Sequence, residues 1–437
     1  MQIKRDYSQP FFSTRRRRRT GTRFVFMYGL LLGGFLVFVS SQFDRLQLAA
    51  LDAVGLAPTP TAFASTWAQQ GYDLYARGKV EEAANAFKQA VNQQPNNINY
   101  LYEYGRMLLE MDRDADEATG RPQSDAEIAL EIGDQAINAA PQDVRGYALK
   151  AKALIWTGDS ASAIPIALQG REIDPEFAPI YSALAVGYTN IGRYQQGLDN
   201  GEQAITLDPM DADAHRSYAI SLIFVGLRDE AIRQLEDAVN INPNLVGPYF
   251  ELAGQYGVGT TVDDTADAVA TYEKILTIDP RNPKAMLRMC ELYFKVGEAR
   301  QAEGYCDDAL QVNPNYKEAY RQLGMVNYSR RNYEGAIQNF DRCVELKSEE
   351  IQCYYLRGLA HFYLADGKNE HCDLAWIDLK DSLERAQTLA DNVNIVADIQ
   401  RGLQLTTQVC PQYSGLGVPT LAPPTEIPPT PLGGLGG

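Results

Sequence analysis

Histidine is scarce in this sequence, at three residues among 437, and no cysteine precedes position 290. There is no His-Glu-x-x-His, no Gly-rich phosphate loop after a strand and no nucleophile in an elbow motif, so the residues for metal hydrolysis, nucleotide chemistry or acyl transfer are missing. We therefore expect no catalytic site, no metal and no cofactor. Basic residues are also scarce once the first 23 positions are set aside. Residues 1–23 hold eight Lys and Arg against one Asp, leaving 32 basic and 55 acidic residues beyond them. Gripping phosphates requires clustered Lys and Arg, so an acidic body of this kind excludes a nucleic-acid partner. Hydrophobic content of 45% and charged content of 22% are ordinary for a packed protein.

One stretch lacks charge altogether. Phe24 to Ser41 reads FVFMYGLLLGGFLVFVSS, which as a helix extends about 27 Å, close to the hydrocarbon thickness of a bilayer. Arg15 to Arg19 and Arg23 stand directly before it. Basic residues resist translocation, so residues 1–23 are expected to stay cytoplasmic, 24–42 to form a transmembrane signal anchor, and the body to be exported across a bacterial cell membrane. Val39-Ser40-Ser41 is a weak cleavage-site match; a cleaved signal peptide would export the body equally. Residues 43–63, with Ala57-Pro58-Thr59-Pro60-Thr61, read as a semi-rigid spacer.

Prolines mark a period. Pro141, Pro175, Pro209 and Pro243 are 34 residues apart, as are Pro280 and Pro314. Pro95 precedes Pro141 by 46 and Pro280 follows Pro243 by 37, which implies insertions of 12 and three residues. Between prolines the pattern repeats: Trp67, Gly71, Leu74, Gly78, Ala83, Phe87 and Ala90 precede Pro95, and Tyr181, Leu184, Ala185, Tyr188, Gly192, Tyr194, Gly197 and Ala204 precede Pro209. Small residues let paired helices approach closely while aromatics fill the gaps between pairs.

This pattern resembles the tetratricopeptide-repeat (TPR) family. The resemblance implies an all-α solenoid, a right-handed superhelix of helix-turn-helix repeats, with nine repeats over 64–389. Three departures stand out: Gly133 where a bulky residue is expected, Arg331 in place of a turn glycine, and a ninth repeat stretched around Ala365 to Glu370. Residues 390–410, with an amphipathic segment from Asn392 to Val409, are read as a capping helix over the last repeat. Residues 411–437, rich in Pro, Gly and Thr, are expected to be disordered.

On the repeat frame, residues equidistant from a turn lie at one height in a hairpin. Cys290 and Cys306 centre on Glu298, Cys343 and Cys353 on Ser348, and Cys372 and Cys410 on Asp391, each at an expected turn. Three disulfides between sequential neighbours follow, in keeping with an oxidising compartment. The alternative, Cys290, Cys306 and Cys343 as small core residues, stays open. A metal site from His361, His371, Cys353 and Cys372 matches no standard zinc spacing. His215 stands where other repeats carry Tyr and reads as a packed ring, and Asn327-Tyr328-Ser329 as an accidental glycosylation triplet.

In the TPR family the first helices of successive repeats line a concave groove that binds peptide segments, through the second, fifth, ninth, twelfth and thirteenth places. Carried over, the resemblance implies a groove of Tyr72, Tyr75, Tyr102, Arg106, Trp156, Arg216, Phe224, Phe250, Phe294, Lys295, Arg321, Tyr328, Tyr355, Phe362 and Tyr363. Aromatics and Arg carry much of the energy at interfaces. The chain lacks the Lys and Asn clamp with which some members grip a C-terminal carboxylate. The expectation is a membrane-anchored scaffold binding protein partners; the rival is a non-catalytic accessory of an envelope polysaccharide or cell-wall assembly machine, touching glycan through its aromatics.

Overall fold

A computed structural model of the protein describes residues 63–111, 123–259, 261–346, 351–365, 369–386 and 393–418. The expected cytoplasmic tail, anchor and nearly all of the spacer lie outside these residues. Among the described residues no helix is long and apolar enough to cross a membrane.

Nineteen helices and no strand occur among the described residues: α1 (Ala64–Tyr75), α2 (Val80–Gln93), α3 (Ile98–Met111), α4 (Asp125–Ala139), α5 (Val144–Trp156), α6 (Ser160–Ile173), α7 (Ala178–Asn190), α8 (Tyr194–Leu207), α9 (Ala212–Phe224), α10 (Arg228–Ile241), α11 (Val246–Val258), α12 (Val262–Ile278), α13 (Pro283–Lys295), α14 (Ala299–Val312), α15 (Lys317–Ser329), α16 (Tyr333–Glu345), α17 (Ile351–Ala365), α18 (Asn369–Ala386) and α19 (Val393–Val409). Each odd helix up to α17 forms a hairpin with the next even one, and successive hairpins pack side by side.

The periodic prolines have a partner in space. The hydroxyls of Tyr147, Tyr181, Tyr249 and Tyr320 donate to the carbonyls of Pro141, Pro175, Pro243 and Pro314, six residues back, at 2.8–3.2 Å. His215 makes the same bond from Nε2 to the Pro209 carbonyl at 3.1 Å. It takes a tyrosine's structural place.

Turns within hairpins use glycine in the left-handed region, as at Gly158, Gly192, Gly226 and Gly297, whereas the eighth repeat holds Arg331 there with φ +60°. A side chain is disfavoured in that region, so this turn forms at a local cost. The two insertions are accommodated differently. In the second repeat residues 112–122 lie outside the described set, and α4 then starts from a capping box between Ser124 and Glu127. In the sixth the extra residues lengthen α12 to 17, and Thr261 and Asp264 cap its start in the same way.

Small residues set the helix spacing. A Cβ on Gly71 would lie 2.7 Å from the Phe87 ring, and one on Gly324 2.5 Å from the Phe340 ring. Both phenylalanines are fully buried, and truncating such a ring to Ala costs about 3–5 kcal/mol. Gly133 is explained by α4 and α5 lying so close that a Cβ would meet the Lys150 backbone at 2.9 Å. A bulky residue does not fit.

Three disulfides join Cys290 to Cys306, Cys343 to Cys353 and Cys372 to Cys410, with Cα separations of 5.3, 6.3 and 5.8 Å. The chain stays ordered beyond the cap. Pro411–Tyr413 forms a short 3-10 turn, Tyr413 stacks on Trp376 at 4.7 Å and donates to Asp373, and Val418 packs against the core shared by α17, α18 and α19. Disorder expected from Pro411 onward is therefore corrected for 411–418: one aromatic anchored beside a disulfide outweighs the Pro-rich composition. The rest of that segment lies outside the described residues.

Candidate partner-binding surface

The candidate groove residues fall into two groups. In the first six repeats two pairs engage each other, Tyr75 with Arg106 and Trp156 with Arg216. The Arg106 guanidinium donates to Glu103 at 2.8 Å and to the Tyr75 hydroxyl at 3.3 Å, and lies 4.7 Å from the centre of the Tyr75 ring. Tyr102 packs against Phe177. Arg216 sits over Trp156, 5.3 Å from the ring centre, and donates to Glu251 from Nε and Nη2. Phe250 packs against Tyr272, with the Lys284 ammonium 5.2 Å from its ring centre.

Residues absent from the sequence-based set complete this network. Lys152 on α5 bonds Asp213 on α9 at 2.6 Å, spanning 61 residues and passing over the fourth repeat. That repeat offers only Ser182 and Val186 at its fifth and ninth places. Lys152, Asp213 and Glu110 occupy the ninth, second and thirteenth places of their repeats, so the frame marks them; a preference for aromatics and Arg passes them over.

Burial dominates the electrostatics here. It raises Glu110 above the ordinary carboxylate range and pushes the Tyr75 and Tyr102 phenols up to about 12. Burial also pushes Asp213 up, but the bonded Lys152 ammonium and the Arg216 and Arg106 guanidiniums outweigh it and hold that carboxyl low. For Lys152, Asp213 and Tyr102 likewise overcome burial and keep the ammonium charged. The gap between these side chains holds about 20 Å³, room for roughly one water.

In the last three repeats aromatic side chains dominate. Tyr363 stacks on Tyr333 at 5.2 Å, and Tyr328 and Phe362 meet it edge-on at 5.9 and 5.3 Å. Tyr363 remains 50% exposed. Tyr333, which opens α16, is the member that a search confined to first helices omits. Arg321 donates to Gln352, Lys295 to the Gly257 carbonyl, Phe294 packs into the seventh-repeat core and Tyr355 into the core beneath α19. Tyr72 and Phe224 stand apart: Tyr72 lies edge-on to Phe87, while Phe224 stacks on Tyr194 and is 54% exposed. His361 and His371 bond to each other through Nδ1 at 3.1 Å. Among the described residues no group of three or more His, Cys, Asp or Glu is placed to hold a metal ion.

Among the described residues, nine stacked antiparallel hairpins on a 34-residue frame define a helical repeat protein. Family models described as tetratricopeptide repeat match residues 69–119 and 262–324, so the chain carries tetratricopeptide repeats. It is similar to the human protein O-mannosyl-transferase TMTC1, 26% identical over 176 residues, which cover 39% of this chain and 19% of that protein. It is also similar to DnaJ homolog subfamily C member 3 of Bos taurus, 20% identical over 297 residues, 66% of this chain and 54% of that one. Among solved structures, the APC/C hetero-tetramer Cut9-Hcn1 aligns with 14% identity and a TM-score of 0.49, covering 78% of this chain and 76% of that one. The chain spans between 17% and 54% of the length of these and other curated relatives.

Proposed function

We propose that the protein is a membrane-anchored scaffold that recruits protein segments on the extracytoplasmic side, working by binding and not by catalysis. TPR repeats imply a protein-interaction scaffold, and the observation that carries the finer reading is the half-exposed Tyr363 cluster with Tyr328, Tyr333 and Phe362. Rigid aromatics supply contact area at low entropic cost. The disulfides support an oxidising compartment. The uncharged stretch at 24–41 beside its arginines supports an anchor with the body outside. The mannosyl-transferase activity in a relative's name belongs to a protein of which this chain matches 19%, and it is not carried over.

A second reading keeps the same aromatics but has them stack on sugar rings, making the chain a non-catalytic accessory of an envelope polysaccharide or cell-wall assembly machine. Cross-linking the full chain in native membranes and identifying attached proteins separates the two. Tyr328→Ala/Tyr363→Ala is expected to reduce recovery of the attached partner at least tenfold. Undiminished cross-links would remove the aromatic cluster from the interface, and binding to a glycan array without any protein partner would move the assignment to the second reading.

A further inference from the structure

The first repeat touches the chain again far away in sequence. The Asn242 side-chain amide donates to the Tyr75 hydroxyl at 3.2 Å, and that of Asn244 to the Ala76 carbonyl at 2.9 Å. A Cβ on Gly78 would lie 3.1 Å from Asn244 and 3.2 Å from Ile278. The turn of the first hairpin is therefore seated on the junction between the fifth and sixth repeats. Successive repeats elsewhere share clusters of fully buried Ala, Leu, Ile and Phe. At this seam the described bonds are neutral amide contacts, each of modest net strength in water.

The seam is coupled to the inner wall. Tyr75 accepts from Asn242 and from Arg106 at once, and Arg106 lines the same gap as Glu110, Lys152, Trp156, Asp213 and Arg216. With the seam shut the gap between these paired side chains has room for about one water, less than a partner's side chain needs to pass between them.

We propose that this seam is an autoinhibitory gate: the first six repeats close on themselves, and a partner segment reaches the Arg106, Lys152 and Arg216 wall only when the first hairpin lifts away. The seam is the weakest junction around the closed path, so it opens before neighbouring hairpins separate. Opening frees Tyr75, and with it Arg106, while the apolar clusters between repeats stay intact.

Hydrogen exchange and small-angle scattering on the free, full chain test this. Tyr75→Phe/Asn244→Ala removes the seam bonds but keeps the ring and the helices. It is expected to raise exchange in α1 to α3 by about thirtyfold, the factor that two hydrogen bonds of ordinary net strength represent, and to increase the radius of gyration, with α13 to α19 unchanged. Ala76→Cys/Asn244→Cys, bridged by a short thiol cross-linker while all six native cysteines remain in disulfides, should slow the same amides. If both variants exchange like the wild type, the seam is not a gate; exchange rising equally in every repeat would mean general destabilisation and would also overturn it. The gate rests on the inner wall being a binding surface, but these measurements need no partner, so they fail or succeed separately from the proposed function.

Discussion

Across the third to fifth repeats the inner wall is drawn together by charge, through Lys152 and Asp213, and no cysteine is present. From the seventh repeat to the cap, three disulfides cross the hairpins and the inner wall is aromatic. The hairpins share one geometry, so the difference lies in how the stack is held. Charges paired across a groove tie its curvature to protonation and to whatever enters. Disulfides within and between neighbouring hairpins leave the groove face free and act chiefly on the unfolded chain. The first half is thereby suited to opening and closing, the second to presenting a fixed surface.

The largest break in this contrast should come from Cys372→Ser/Cys410→Ser. That bond closes the longest loop, 38 residues, and a loop of that length is worth about 4 kcal/mol in chain entropy. Denaturant titration followed by hydrogen exchange should show α18 and α19 losing protection while α5 to α9 keep theirs. Equal losses in both regions would mean that the two halves unfold as one unit.

Acid should separate the halves next. Burial, His371 and Arg357 lower the His361 pKa from its ordinary 6.5 to about 4, with Asp341 opposing. The unfolded chain therefore takes up a proton that the folded one refuses between those values, and stability falls as pH drops from 6.5 to 4, by roughly 3 kcal/mol at most. Asp378, raised by burial against the pull of Arg357, works in the opposite direction and strengthens the same hairpin in acid. The difference between wild type and His361→Gln therefore isolates the histidine. The variant should show a shallower loss across this window, and identical pH profiles would refute the assignment.

How much of this could be read beforehand depends on the range of the interaction. The proline period was legible in the spacing alone, and five of its seven prolines have their carbonyls answered six residues later by Tyr147, Tyr181, His215, Tyr249 or Tyr320, a local bond. The inner-wall places could be numbered from the same period. Which of them would meet could not, because Lys152 reaches Asp213 and Asn244 reaches Ala76 only through the accumulated curvature of several hairpins. Gly133 was anomalous on the letter pattern alone. Its reason, the approach of the Lys150 backbone, belongs to packing. Tyr413 shows the converse: a Pro-rich composition hid one ring that packs beside the cap within residues 411–418.

The smallest expected effect sharpens the comparison at a single turn. Gly158, Gly192, Gly226 and Gly297 close their turns with positive φ, and Arg331 does so in the eighth repeat with φ +60°. Holding an L side chain there costs about 1–2 kcal/mol. Glycine removes that cost but gives the unfolded chain more freedom, worth about 0.4–1 kcal/mol in the other direction. Arg331→Gly should therefore stabilise the eighth repeat by roughly half a kcal/mol, a rare case in which deleting a whole side chain strengthens the fold. Exchange in α15 and α16 should slow about twofold. A loss of stability would mean that the Arg331 side chain contributes more than its backbone costs, and the turn would then differ from its five glycine counterparts, Gly78 included, in kind.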